Sequence, residues 1–205
     1  MRQPSLFEVV KAPRPNHAAT STEPLEVYDF FAGAGGFSTG ARQAGCRVVY
    51  ACDNNAEALA THKRNHPEAE HACLTLPSAE AVAKLPTDGR RFHVHCSPPC
   101  VKLSRINTPN VVAGNEGSRG MTQAADMVEW CLEMMLASRC TSWSLEQVGD
   151  HSVQTIVERV RKRHPNRLAY AVVKLQELGV PQTRVRLIAA TPRLLAGLLR
   201  KASRA

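Results

Sequence analysis

The sequence has no apolar run near the roughly 20 residues that a membrane-spanning helix needs, and residues 1–24 lack the apolar core of a signal peptide. It also has no Cys-x-x-Cys pair, which removes the usual support for a structural zinc site. The seven cysteines are odd in number and widely spaced, unlike those of a secreted disulfide framework. These absences predict an intracellular protein with neither a membrane anchor nor a resident metal.

Aromatic residues are scarce, at 5%, and no Lys/Arg run is interleaved with them, so the sequence shows no RNA-binding module of the aromatic-sheet kind. Lys and Arg nevertheless number 26 against 18 Asp and Glu, which gives a formal net charge of +8. A basic surface attracts phosphate backbones. The charge favours a nucleic-acid partner only weakly, because a basic soluble protein of another function would have the same balance.

The 205 residues fit one globular domain with short appendages. Residues 1–24 contain four prolines among polar neighbours and are predicted to be a disordered tail. Residues 25–192 alternate strand-like and helix-like segments, which predicts an α/β fold with a doubly wound, mostly parallel sheet. Residues 193–205 are predicted to form a basic helix or tail.

Hydrophobic periodicity and turn residues place the individual elements. The predicted strands are 25–31, 47–52, 71–76, 92–96, 141–145, 168–175 and 184–190. The predicted helices are 38–44, 56–65, 121–138 and 151–163, and residues 101–120, with three glycines, are predicted to be a mobile loop. Ligands of such sheets bind at the carboxyl ends of the strands, which is where four motifs of the sequence lie.

The first motif is the glycine-rich segment 29–37, between a strand and a helix. Glycines there let the backbone approach a ligand closely, although a tight turn that needs positive φ would use them equally well. Asp53, which ends the second strand, is placed to accept hydrogen bonds from both hydroxyls of a ribose, as in nucleotide-binding α/β folds. The alternative for Asp53 is to cap the helix that follows.

The second motif is the Cys-Ser-Pro-Pro-Cys segment 96–100, at the end of the fourth strand. Its two prolines stiffen the turn and put Cys100 at the strand tip, where a nucleophile would lie, although a small apolar cysteine in a loop is the alternative. His93 and His95 share one face of the preceding strand and Cys96 takes the other. These groups therefore do not converge on a metal.

The last two motifs add charged side chains at two further strand ends. The carboxyl group of Glu146, in Glu-Gln-Val at 146–148, can protonate or hydrogen-bond a heterocycle in the same pocket, unless it is a surface glutamate. Arg184 and Arg186 are two residues apart in a strand and so share a face. Paired guanidinium groups suit a phosphate and a base carbonyl, and two exposed strand arginines are the alternative.

In this order, the four motifs resemble those of the cytosine-5 DNA methyltransferase family, over about residues 25–192. Residues 29–36 look like its cofactor loop, 97–100 like its Pro-Cys motif, and 146–148 like its Glu-Asn-Val motif, while 182–186 match its Gln-x-Arg-x-Arg pattern in full. The resemblance implies a Rossmann-like fold that uses S-adenosylmethionine. It also implies methyl transfer to carbon 5 of cytosine in DNA.

The resemblance implies a role for each motif residue. Cys100 would attack carbon 6 of a flipped-out cytosine, and Glu146 would hold or protonate the ring nitrogen next to the exocyclic amine. Arg186 would contact the base carbonyl and orient Glu146, while Arg184 would help to activate the thiol. The implied cofactor residues are Asp29, Phe31, Gly33, Gly35, Gly36, Asp53, Asn54 and Pro99. The implied substrate residues are Ser97, Pro98, Ser104 and Gln182.

Four positions depart from the family pattern. Val101 stands in place of Gln, Gln147 in place of Asn, and Asn54 where an apolar residue often packs on the adenine. Cys73 and Leu74 replace an Asp that accepts from the adenine amine, and losing that acceptor is expected to weaken cofactor binding by about 1–3 kcal/mol.

No segment resembling the family's target-recognition domain follows the last predicted strand. Without such a segment, three possibilities remain: a separate recognition subunit, low specificity or loss of methylation. A catalytically silent binding module built on the same fold therefore stays open, as does an RNA substrate. An oxidoreductase is disfavoured, because residues 33–36 do not keep the G-x-G-x-x-G spacing of dinucleotide sites.

Overall fold

The structure is a computed structural model that describes residues 23–100 and 115–202, with the side chains of 23–100 and 124–200. Most of the predicted tail and part of the predicted loop, including Ser104, lie outside the described residues. Within these ranges no helix combines the length and apolar character needed to cross a membrane.

Strands and helices alternate along the described chain. The strands are β1 (Glu26–Phe30), β2 (Arg47–Asp53), β3 (Glu70–Cys73), β4 (Phe92–Cys96), β5 (Ser142–Val148), β6 (Ala169–Lys174) and β7 (Val185–Ala190). The helices are α1 (Gly36–Gln43), α2 (Ala56–Asn65), α3 (Ala79–Ala83), α4 (Asn115–Ala137), α5 (His151–Arg163) and α6 (Pro192–Ala202). A 3-10 turn at Leu175–Leu178 follows β6.

The strands form a seven-stranded sheet in the order β3-β2-β1-β4-β5-β7-β6. β1 is parallel to β2 and β4, and β2 is parallel to β3, whereas β6 and β7 are antiparallel. The strand order reverses between β1 and β4. The prediction of a doubly wound, mostly parallel sheet is confirmed, and the reversal is the point where such sheets bind ligands.

Contacts divide the chain into two compact units. Of the described residues, the first unit comprises 23–99 and Glu133–Ser144, and the second comprises Cys100, 115–132 and 145–202. In the first unit, Val27 of β1 and Val48 of β2 pack with Ala69, and the α1 residues Phe37 and Ala41 cover them. This packing fixes α1, and the turn before it, against the sheet.

The second unit is built on α5 and the β6–β7 pair. Apolar residues of α5 recur at helical spacing and bury one face of that helix. They are Val153, Ile156, Val157 and Val160. Gly149, directly after β5, has no room for a side chain, because an added Cβ would lie 3.0 Å from Cγ1 of Val172. This close packing fixes the end of β5, where Glu146 lies.

Three predicted boundaries are wrong by three residues or more. β3 ends at Cys73 and not at residue 76. α4 begins at Asn115 and not at residue 121, because Gly117 and Gly120 lie inside the helix. A glycine costs a helix only about 1 kcal/mol, which the neighbouring turns outweigh. β5 continues to Val148, so that Glu146 lies within the strand and not after it. Burial alternates through this extension, since Gln147 is buried between half-buried neighbours.

Candidate active site

The glycine-rich turn after β1 adopts backbone conformations that side chains rarely permit. Gly33 and Gly35 have φ of 52° and 97°, and Phe31 has φ of 61° although it carries a side chain. A bulky residue in this left-handed region is strained and persists only where its surroundings hold it. The amide of Ala32 donates to the carbonyl of Cys52 at 3.1 Å and so ties the turn to β2.

Asp53 anchors the same turn from the end of β2. Its Oδ2 accepts from the amide of Gly33 at 2.9 Å, and its Oδ1 accepts from the amide of Asn55 at 2.8 Å. The cap of α2 is Asn55, whose Oδ1 accepts from the amides of Glu57 and Ala58, so the alternative that Asp53 caps this helix is wrong. Each carboxylate oxygen of Asp53 retains a second lone pair for a ligand hydroxyl.

Further residues that the sequence predicts to bind the cofactor lie in the glycine-rich segment and directly after β2. Apart from atoms of adjoining residues, no atom of the described residues lies within 4 Å of a Cβ added at Gly33 or Gly36, so the turn has open space beside it. Asn54 is exposed, and its carbonyl accepts from the exposed thiol of Cys73 at 3.9 Å. Cys73 and Leu74 are the two residues at which the resemblance predicts a carboxylate for the adenine amine.

The segment after β4 is fixed to the end of β1. The Ser97 amide donates to the carbonyl of Phe30 at 3.3 Å, and the Ser97 hydroxyl donates to the carbonyl of Phe31 at 3.2 Å. Of the following residues, Pro98 is buried, Pro99 is exposed and Cys100 is half-buried. The hydroxyl of Ser97, predicted to bind substrate, thus bonds the strained turn.

In the second unit, two arginines of the last motif approach one carboxylate. Nε of Arg186 lies 2.6 Å from Oε1 of Glu146, and Nη2 of Arg184 lies 4.0 Å from the same oxygen. Arg186 is 17% exposed and Arg184 is 51% exposed, so the pair with Arg186 is the better shielded. Short contacts of this charge-assisted kind fix the orientation of a carboxyl group.

Gln147 and Gln182 flank this pair in different environments. Gln147 is buried, and its Oε1 accepts from the amide of Val148 at 2.8 Å, which fixes the strand end that carries Glu146. Gln182 is exposed, and its backbone N–H donates to the carbonyl of Val180 at 2.8 Å. The longer side chain at 147 therefore fits its buried position.

His93 and His95 bond to serine hydroxyls of β5, a partnership that sequence reasoning missed. Ser142 and Ser144 lie 2.8 and 3.0 Å from the two ring nitrogens of His93, and Ser144 lies 2.8 Å from Nδ1 of His95. The ring of Phe37 stacks on His95 with centroids 3.5 Å apart. In the described part of the chain, no group of three or more His, Cys, Asp or Glu residues could hold a metal.

Residues 25–129 match the family model for C-5 cytosine-specific DNA methylase. The chain is 51% identical over 87 residues to the type II methyltransferase M.AgeI of Thalassovita gelatinovora, covering 39% of this chain and 20% of that protein. It is 32% identical over 80 residues to the type II methyltransferase M.HgiGI of Herpetosiphon aurantiacus, covering 39% and 63%.

Among solved structures, the fold is similar to that of the Dnmt2 methyltransferase of S. pombe, with a TM-score of 0.55 and 20% identity. That match covers 81% of this chain and 50% of the S. pombe chain. The chain therefore spans half or less of two of these three proteins.

Proposed function

Because the chain belongs to the C-5 cytosine-specific DNA methylase family, we propose that it methylates carbon 5 of cytosine in DNA, with Cys100 as the covalent nucleophile. The observation that carries this proposal is the carboxyl group of Glu146, held by Arg186 at 2.6 Å. A carboxyl group fixed in this way can act on the ring nitrogen of a pyrimidine. Carbon 6 of that pyrimidine then becomes electrophilic.

The residues around the glycine turn fit S-adenosylmethionine. Asp53 offers lone pairs for ribose hydroxyls, and open space lies beside Gly33 and Gly36. Phe31, Gly35 and Asp29 complete the turn, and Asn54 and Pro99 are the further cofactor residues of the proposal. The bound cofactor would supply the methyl group.

The chain's own groups account for the remaining steps. The thiol of Cys100 loses its proton to water and its sulfur bonds to carbon 6, while Glu146 protonates the ring nitrogen, which makes carbon 5 electron-rich. After methylation, a base removes the proton on carbon 5, the electron pair re-forms the double bond between carbons 5 and 6, and the bond from carbon 6 to sulfur breaks. The ring nitrogen returns its proton to Glu146, and the sulfur leaves as a thiolate that is ready for the next cycle. Carbon 6 is unreachable within a base stack, so the cytosine must be flipped out.

Readout of a specific sequence needs protein surface in a DNA groove. We propose that this surface is supplied by a further part of the protein or by a separate recognition subunit. Incubation with duplex DNA containing 5-fluorocytosine and S-adenosylmethionine is expected to give an SDS-stable protein–DNA band, because fluorine blocks the last elimination. No band, even with added extract of the source organism, would argue against the reaction, and a band with fluorinated RNA alone would change the substrate.

A catalytically silent cofactor- or DNA-binding module is the second candidate. The thiol of Cys73, which contacts the carbonyl of Asn54 in place of a carboxylate acceptor, favours it. Cofactor binding and adduct formation separate the candidates, because a silent module gives no adduct even where it binds the cofactor.

Replacing Asp53 by alanine is expected to weaken S-adenosylmethionine binding by about 10- to 100-fold in calorimetry, the cost of about 1–3 kcal/mol for unpaired polar groups. The variant loses both the anchor of Gly33 and the acceptor for the ribose. Glu57→Ala removes an exposed carboxylate four residues later and is the matched control. Equal affinity in the Asp53→Ala and wild-type proteins would refute this site.

Replacing Arg186 by alanine is expected to slow adduct formation by about 100-fold or more, the scale for losing a preorganised charged group at a reacting centre. Glu146 then keeps only the more distant Arg184. Lysine at 186 should restore part of the rate. Arg159→Ala breaks an ion pair with Glu129 on the surface of the same unit and should leave the rate within about twofold. A wild-type rate in Arg186→Ala would show that Glu146 needs no such partner.

A further inference from the structure

A chain of four hydrogen-bonded side chains leads from Asp29 to the rim of the first unit. The Ser38 hydroxyl donates to Oδ2 of Asp29 at 2.6 Å, and Nε2 of His62 lies 3.0 Å from the Ser38 oxygen. Nδ1 of His62 lies 2.8 Å from Nε2 of His71. Asp29, Ser38 and His62 are fully buried, whereas His71 is half-buried. The chain therefore connects a buried carboxyl group with a group that water can reach.

Asp29 is the unusual member, because it is a buried carboxyl group directly before the glycine turn. Its Oδ1 is buried and has no hydrogen-bond partner among the described residues. Burial raises the pKa of Asp29 to about 7, which the Ser38 hydroxyl opposes and the charge of Asp53 reinforces. The titratable and polar groups nearby are Asp53 and Cys52 of β2, Ser38 of α1, His62 of α2 and His95 of β4.

The turn leaves the two α2 histidines little freedom to move. A Cβ at Gly35 would lie 3.0 Å from Cδ2 of His62 and 3.1 Å from Cδ2 of His66. His66 is buried beside His62, and its Nε2 lies 3.2 Å from the hydroxyl of Thr39, which donates to the carbonyl of Gly35. The rings thus pack directly under the turn, and the path from Asp29 is held in place.

The hydrogen bonds of this chain can run in either direction, since a hydroxyl and a neutral imidazole each donate and accept. With Asp29 ionised, the donors point toward it from His71 through His62 and Ser38. With Asp29 protonated, they point away. The two states differ by one proton and by no movement of heavy atoms.

We propose that Asp29 releases a proton through Ser38, His62 and His71 when the positively charged cofactor binds at the neighbouring turn. This inference rests on the proposed use of S-adenosylmethionine. In the release, the O–H bond of Asp29 breaks, Ser38 and His62 each receive one proton and pass on another, and an N–H bond forms on His71. His71 then gives its extra proton to water. The positive charge of the cofactor at the neighbouring turn would stabilise the resulting carboxylate, and a neutral cofactor would not.

Calorimetry in two buffers of different ionisation enthalpy tests the coupling. At pH 6.5 the wild type is expected to release about 0.8 proton more with S-adenosylmethionine than with S-adenosylhomocysteine, whose sulfur is uncharged. This is the protonated fraction of a group that titrates near 7. Between pH 6 and pH 8, affinity for S-adenosylmethionine is expected to rise about tenfold more than affinity for the neutral analogue.

Substitutions test separately the role of Asp29 as the proton source and the role of the side chains that carry the proton. Asp29→Asn should remove the difference between the two ligands, and Ser38→Ala should move it to higher pH, because the donor that favours the carboxylate is lost. His62→Gln should keep the amount of released proton but slow its appearance, followed with an indicator dye in stopped flow. His93 is a buried histidine that is not one of the four hydrogen-bonded side chains, so His93→Gln is the control. It should change neither the amount nor the rate of proton release.

Equal proton release with the two ligands, or a difference that persists in Asp29→Asn, would overturn the coupling. Unchanged kinetics in His62→Gln would overturn the path. If the wild type binds S-adenosylmethionine but releases no more protons with it than with the neutral analogue, the inference alone fails. If it binds neither at any pH, the proposed function fails together with the inference.

Discussion

Replacing Cys100 by alanine is expected to abolish the SDS-stable adduct with 5-fluorocytosine DNA and to slow methylation of ordinary DNA by at least about a thousandfold, the scale of losing a covalent nucleophile. Among the described residues of the proposed site, Cys100 is the one with a thiol that can bond to carbon 6, and Glu146, which is paired with Arg186, acts on the ring nitrogen. Serine at position 100 should behave as alanine does, since a hydroxyl is a much weaker nucleophile than a thiolate.

The control for this experiment is a cysteine of similar burial elsewhere in the chain. Cys140 is half-buried, and its sulfur contacts the hydroxyl of Ser138 and the carbonyl of Met135. Cys140→Ala should form the adduct at the wild-type rate. An adduct in Cys100→Ala would mean that another residue is the nucleophile, and loss of the adduct in both variants would point to damage to the fold.

The elements that the sequence predicts best have their start and stop signals in neighbouring residues. α2 matches its prediction over Ala56–Asn65, between the cap Asn55 and the stop at Pro67. α5 begins after Asp150, whose side chain accepts from the amide of Ser152, and ends before Pro165. Local chemistry of this kind is complete within a few residues and needs no knowledge of the rest of the fold.

Features that depend on distant partners could not be predicted in the same way. The left-handed backbone of Phe31 has no signal in its own residue type, and it becomes understandable only with the bonds from Cys52 and Ser97 to the turn. The partners of His93 lie 49 and 51 residues away on β5. Periodicity treats histidine as polar and exposed, so a buried layer of histidines escapes it.

The catalytic residues are predicted in part from local motifs, but their roles depend on distant partners. Motif order predicts which residues lie near the strand ends. Arg184 and Arg186 both approach Glu146, but β7 begins at Val185, so the prediction that both arginines lie in the strand is wrong for Arg184. The roles of Cys100 and its partners stay predictions that the adduct experiment decides. Assigning these roles requires the geometry of the reacting groups around a bound base, and sequence spacing does not show that geometry.

Acid is expected to unfold the first unit well above the pH at which ordinary domains lose their carboxylates. Burial lowers the pKa of His62 and of His93 to about 4, and it lowers those of His71 and His95 as well. The unfolded chain binds a proton at each histidine near pH 6.5. The contribution of these histidines to the free energy of unfolding is therefore fully present above that pH and is lost as the pH drops toward 4. His62 and His93 alone account for about 3 kcal/mol each.

Asp29 opposes this loss, because its raised pKa of about 7 lets the folded protein take up a proton before the unfolded chain does. Its contribution is about the size of one histidine's, so four histidines outweigh it. The urea midpoint, followed by the fluorescence of buried Trp143, should therefore fall steeply between pH 7 and pH 5. His93→Gln should flatten that slope, whereas the exposed His151→Gln should not. A midpoint independent of pH would contradict the prediction, because it would mean that the buried rings accept protons without unfolding.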